Sequence, residues 1–125
     1  MTDRRRMRHP RIAALLLPLL MATAGCRSYL VRVSVVNRTG AAANLIEVDY
    51  PSASFGIDSL APGAVFHYRL QLLDRGPVTV EYVGPDRRKY QATGPTLVEK
   101  QEGGLEIDLL PGGKIEFRPN LTMGG

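Results

Sequence analysis

The stretch YLVRVSVVNRTG, residues 29–40, alternates apolar and polar side chains and then stops in a turn. Val31, Val33 and Val35 fall on one side of an extended chain, with Arg32 and Ser34 on the other. A two-residue period with β-branched residues on one side marks a strand that packs one face and wets the other. Asn37 ends the run, because an Asx side chain can bond its own backbone two residues on and so start a turn.

The same period recurs downstream. Ile46, Val48 and Tyr50 oppose Glu47 and Asp49, while Phe66, Tyr68, Leu70 and Leu72 oppose His67, Arg69 and Gln71. Val78, Val80 and Tyr82 alternate with Thr79 and Glu81, Leu105, Ile107 and Leu109 with Glu106 and Asp108, and Ile115 and Phe117 with Glu116 and Arg118. Weaker strand segments lie at 89–93 and 96–100. Gly, Pro, Asn and Asp punctuate the chain about every ten residues, too often for helices. Pro-Gly at 62–63 and 111–112 suits type II turns, in which Gly takes the positive φ.

This pattern predicts a small antiparallel β-sandwich, Ig-like in architecture, over residues 31–119, with 120–125 as a C-terminal tail; a small β-barrel is the alternative. The Cys…Trp…Cys signature of immunoglobulin domains is absent, since the chain has one Cys and no Trp.

The start of the chain differs in character. Residues 1–11, MTDRRRMRHPR, are basic, and 12–24, IAALLLPLLMATA, carry no charge. A basic segment, an apolar run and small residues at its end form the pattern of a secretory signal peptide. At 13 residues with Pro18 inside it, the run is shorter than the roughly 20 apolar residues a spanning helix needs. Residues 1–25 are therefore expected to be removed, with 26–30 left as a short tether. Ala22-Thr23-Ala24 also fits ordinary signal peptidase, so cleavage after Ala24 competes with cleavage before Cys26.

Thr23-Ala24-Gly25-Cys26 resembles the lipobox of bacterial lipoproteins, with Thr23 standing where that family usually has Leu. The resemblance implies acylation of Cys26, membrane attachment through that lipid, and, with Arg27 rather than Asp after the cysteine, an outer-membrane location facing the periplasm. A lone cysteine cannot close an intrachain disulfide, and a lipid thioether gives an exported thiol a use. The alternative is an unlipidated periplasmic or secreted protein that binds a sugar, peptide or other small ligand.

Charge narrows the partners. The net charge is +4, but five of the 16 Lys and Arg and one of the 12 Asp and Glu precede Cys26, so the remainder carries 11 of each. Such a neutral domain in an exported protein does not invite nucleic acid. No catalytic motif, cofactor-binding motif or metal-ligand spacing is present, and no enzyme activity is expected. His67 has no second His or Cys with which to share a metal, and it reads as a solvated strand residue. An enzymatic reading would require His67 and a carboxylate such as Glu47 in one concave site. The acid pairs Glu47/Asp49 and Glu106/Asp108 are what a solvated strand face produces.

Two stretches remain as a candidate surface for an envelope protein partner. PSASFGIDSL, 51–60, has Phe55 and Ile57 in a segment longer than a tight hairpin, which could pair as an edge strand or plug one end of the sandwich. Arg87, Arg88 and Lys89 form the densest positive run, beside Tyr82 and Tyr90. The expected function is that of a non-enzymatic, lipid-anchored envelope module for binding or assembly.

Overall fold

A computed structural model describes residues 29–124; the leader and Cys26 lie outside the described residues. Eight strands follow one another: β1 (Val31–Asn37), β2 (Ala43–Tyr50), β3 (Ala53–Leu60), β4 (Val65–Leu70), β5 (Gly76–Val83), β6 (Lys89–Leu97), β7 (Gln101–Leu110) and β8 (Lys114–Met123). They form two four-stranded sheets, ordered β4-β1-β7-β8 and β3-β2-β5-β6. The inner faces meet in one core, in which Val31, Val33 and Val35 face Ile46, Val48, Val78 and Val80, with Leu97, Leu105, Ile107 and Leu109 completing it.

The sandwich is thus the expected one, and the barrel alternative is set aside by its two seams. At one side Phe55 of β3 stacks on Tyr68 of β4, centroids 4.2 Å apart. At the other, Phe117 of β8 lies over β6, so close that a Cβ on Gly94 would stand 2.6 Å from its ring. Side chains, not a hydrogen-bonded ladder, close both seams, which leaves four strand edges.

Three details differ from the sequence reading. The β1–β7 ladder is parallel, with Val31 opposite Gly103 and Val35 opposite Ile107, while every other ladder is antiparallel. The two weak segments at 89–93 and 96–100 become one strand, β6, which ends at Leu97, so that 98–100 are turn, and which tolerates Pro95 because it is an edge. Finally, β8 continues through Pro119 to Met123, so residues 120–123 are strand rather than tail, with Gln101 opposite Met123.

Turn chemistry follows the residues. Ala61-Pro62-Gly63-Ala64 closes with the Ala64 amide donating to the Ala61 carbonyl at 3.0 Å, and Gly63 takes φ +79°. In the β5–β6 hairpin the Arg87 amide donates to the Gly84 carbonyl at 3.0 Å, leaving Arg87 itself at φ +64°. That left-handed conformation costs a side-chain-bearing residue about 1–2 kcal/mol. Arg87→Gly is therefore expected to stabilise the fold by about 0.5–1 kcal/mol after its greater unfolded-state freedom is counted. A urea midpoint that falls would sink this expectation.

Asn37 knots one end of the sandwich. Its side chain is fully buried. The Nδ2 group donates to the carbonyls of Ala41 and Leu60, each at 2.8 Å, and Oδ1 accepts from the Thr39 amide at 3.0 Å and hydroxyl at 2.7 Å. The turn after β1 and the end of β3 are held through one side chain.

Candidate functional site

Polar residues of the alternating strands make the two outer faces, and the strand ends and edges make the rest of the surface. His67 lies on the outer face of β4, with Nδ1 3.1 Å from the Ser34 hydroxyl of β1. Glu47 lies on the outer face of the other sheet. The pair that an enzymatic reading would need is separated by the whole sandwich. Among the described residues no three His, Cys, Asp or Glu side chains converge as metal ligands.

The carboxylates divide by surroundings. Asp108, on β7, is fully buried beneath two arginines, with Arg38 Nε 3.4 Å from Oδ1 and Arg118 Nε 3.1 Å from Oδ2. The Arg118 N–H is not aligned as a hydrogen bond, so Oδ2 is held by charge alone. Arg118 also reaches Glu116 at 3.2 Å and Arg38 reaches Glu106 at 3.7 Å, giving one network across β7, β8 and the turn after β1.

On the other sheet Glu47 stands opposite Glu81, with Asp49 two residues along β2. A hydrogen bond with Glu81 and repulsion from Asp49 hold the Glu47 carboxyl above its ordinary 4.5. A carboxyl raised on folding keeps its proton to higher pH in the native state, so the penalty is absent below the ordinary value and complete above the raised one. Glu47→Gln should raise the urea midpoint at neutral pH and leave it unchanged in acid below 4.5. Equal gains at both pH values would show that charge is not the cause.

The β5–β6 hairpin carries the basic run. Asp86 accepts from the Tyr90 hydroxyl and from the Arg88 amide at 3.1 Å, and these bonds hold its carboxyl below the usual range; the same bond raises Tyr90. Arg88 sits 3.9 Å from Asp86 and Lys89 3.3 Å from Glu81, so two of the three cations already have carboxylate neighbours. Tyr82 and Tyr90 pack together, centroids 5.4 Å apart, beside a depression of about 190 Å³.

The segment 51–60 forms β3, an edge strand paired on one side with β2. Phe55 and Ile57 point inward and are each only 8% exposed, so they seal the sandwich while β3 presents backbone, Ser54, Gly56 and Asp58 outward. Phe55 and Ile57 lie at one edge of their sheet and Arg87, Arg88 and Lys89 at the hairpin leading into the opposite edge, so these residues do not form one surface.

Beside β3, the β2 ladder shifts register between Asn44 and Glu47. Leu45 stands in that bulge at φ +49° and 65% exposed. A shallow depression of about 300 Å³ runs along Leu45, Glu47, Ser54, Gly56 and Asp58. Sequence alternation alone does not reveal Leu45, because a bulge inserts a residue and breaks the period.

No protein-family model matches the sequence, and neither does any curated protein. A solved structure, the NMR structure of a protein from Eubacterium rectale, superposes with a TM-score of 0.55 over 75% of this chain and 93% of its own, at 13% identity. At that identity the likeness is one of fold, and it agrees with the two-sheet arrangement.

Proposed function

We propose that the protein is a non-enzymatic lipoprotein of the cell envelope, anchored through Cys26 and using its sandwich as a binding or assembly module. The observation that supports the module is the edge of β3, which no strand pairs among the described residues. Natural sheet edges are usually guarded by Pro, Lys, short length or a covering element. The edge strand β8 carries Pro119 with Lys114, Glu116 and Arg118, β6 carries Pro95, and β4 is only six residues long. By contrast β3 runs for eight residues with no Pro, Lys or Arg and a single charge, Asp58. An extended partner segment could add to it by backbone hydrogen bonds, with Leu45 as the adjoining apolar contact.

Two measurements test the two halves of the reading. Labelling with a palmitate analogue should mark the wild type and spare Cys26→Ala; no label on either removes the anchor. A photo-crosslinking residue at Ser54 should capture a protein partner in intact cells, and Gly56→Lys should abolish capture by guarding the edge. A Cβ at Gly56 meets only the Ile46 carbonyl at 3.6 Å, so that variant keeps its fold. Capture that is equally strong from Gln91 on β6, or unaffected by Gly56→Lys, would refute β3 as the docking edge.

A further inference from the structure

One end of the sandwich receives the N-terminal segment. Leu30 enters β1 there, and the ladders bring the end of β4, the start of β7 and the end of β8 to the same place: Val31 lies opposite Leu70 and Gly103, and Gln101 opposite Met123. Three of the exposed large apolar side chains stand at this end, Leu30 at 36%, Leu73 at 68% and Met123 at 61% exposure.

On the outer face just above them, Arg32 of β1 and Arg69 of β4 are directly opposite each other. Like charges so placed cost stability. Among the described residues neither guanidinium has a carboxylate within ion-pair distance, whereas Arg38, Arg118 and Lys89 do. Gly103 and Gly104 of β7 lie alongside Arg32 without side chains, and this opens a depression of about 470 Å³ lined by Leu30, Arg32, Arg69, Glu102, Gly103 and Thr122. Glu102 on the rim, Asp49 at the end of β2 and Asp74 and Glu99 in the adjoining turns are the acids at this end, equal in number to Arg32, Arg69, Arg75 and Lys100, but of these acids only Glu102 lines the depression with Arg32 and Arg69.

We infer that this end is a bilayer-docking surface, in which Arg32 and Arg69 take the phosphates of anionic lipid headgroups while Leu30, Leu73 and Met123 enter the interface. The inference rests on the anchored reading above, which supplies the bilayer. The four-residue step from Cys26 to Leu30 spans at most about 14 Å, so a lipid on Cys26 keeps this end, and not the far end with the β5–β6 hairpin, against the headgroups. Two facing guanidiniums that have no carboxylate within ion-pair distance among the described residues gain a counter-ion there, and each arginine near an anionic leaflet contributes about a fivefold gain in binding.

The test is co-sedimentation of the full chain carrying Cys26→Ser, which has no lipid of its own, with phosphatidylcholine vesicles made with and without phosphatidylglycerol. Intact mass establishes whether residues 1–25 are still present; because the five arginines of that leader bind phosphatidylglycerol themselves, the readout is the change that Arg32→Gln/Arg69→Gln makes in the phosphatidylglycerol-dependent part of binding, compared at equal leader content. Binding should be stronger with phosphatidylglycerol, and Arg32→Gln/Arg69→Gln should weaken that part about tenfold or more. Leu73→Asn should weaken binding to both vesicles. The double arginine variant should melt no lower than wild type, since it relieves a like-charge pair.

Equal binding with and without phosphatidylglycerol, or a double variant that binds as wild type does, would overturn the inference. Saturation of the two arginines by free glycerol 3-phosphate without vesicle binding would do so too, by assigning a soluble ligand. Palmitate labelling reads the anchor separately: unlabelled wild type with phosphatidylglycerol-dependent binding fails the anchor alone, and labelled wild type without that dependence fails the docking surface alone.

Discussion

Replacing Asn37 by aspartate is expected to cost the fold about 4 kcal/mol or more, although the two side chains have nearly the same shape. The Nδ2 group of this fully buried side chain donates to two carbonyls, of Leu60 in the interior and of the half-buried Ala41. Aspartate puts an oxygen in that place, so both carbonyls lose the Asn37 donor and face an acceptor instead; Ala41 keeps the Thr39 hydroxyl at 2.8 Å, and the buried Leu60 carbonyl loses its side-chain partner. Each buried polar group left without a partner costs about 1–3 kcal/mol, and a buried charge adds more. Packing volume is unchanged, so the loss isolates hydrogen bonding from cavity formation. Against a typical domain stability of about 5–15 kcal/mol, much of the native margin would go. Urea unfolding of Asn37→Asp measures this, with Thr39→Val as a comparison that removes the hydroxyl donor to Asn37 Oδ1 and should cost about 1 kcal/mol. A midpoint for Asn37→Asp within error of wild type would show that the knot does not hold this end.

Gly103→Ala is expected to cost about 3 kcal/mol or more. Two causes act at the same residue. Gly103 has φ +122°, a conformation that a Cβ opposes, and the Cβ would overlap the backbone carbonyl oxygen of Asn120 across the β7–β8 ladder. A backbone atom in a sheet cannot swing aside as a side chain can. The neighbouring Gly104→Ala is the control: its Cβ would meet the Arg32 carbonyl at 3.7 Å, an ordinary contact, and its φ is not positive. That substitution should change stability by less than about 1 kcal/mol. Equal losses at the two glycines would mean that strand propensity, rather than the local conformation of Gly103, sets the cost.

These two sites show where local reading of the chain succeeds and where it stops. Asn37 is recognisable as a turn starter because the Asx turn to the Thr39 amide lies within two residues. Its bond to Leu60, 23 residues away, is not, because nothing local says which carbonyl will arrive. Asp108 alternates with Leu105, Ile107 and Leu109 as a solvated residue would, yet Arg38 and Arg118 come from the turn after β1 and from β8 to cover it. Phe55 and Ile57 are recognisable as apolar residues in an edge-strand segment. That they point into the sandwich, leaving Ser54, Gly56 and Asp58 outside, depends on the pairing of β3 with β2.

By itself the amino-acid sequence determined six of the eight strands, the faces they bury and most of their turns, since a two-residue period and Gly, Pro and Asn punctuation act within a few residues of chain. It also carries the lipobox-like TAGC on which the envelope reading rests. Only the tertiary structure decided the parallel β1–β7 ladder, the open β3 edge and the placing of Arg32 opposite Arg69. Those depend on which strands become neighbours and in what register. Many pairings bury the same apolar faces, and the choice among them falls to contacts far apart in the chain: the Phe55–Tyr68 stack, Phe117 over Gly94, and the arginines over Asp108.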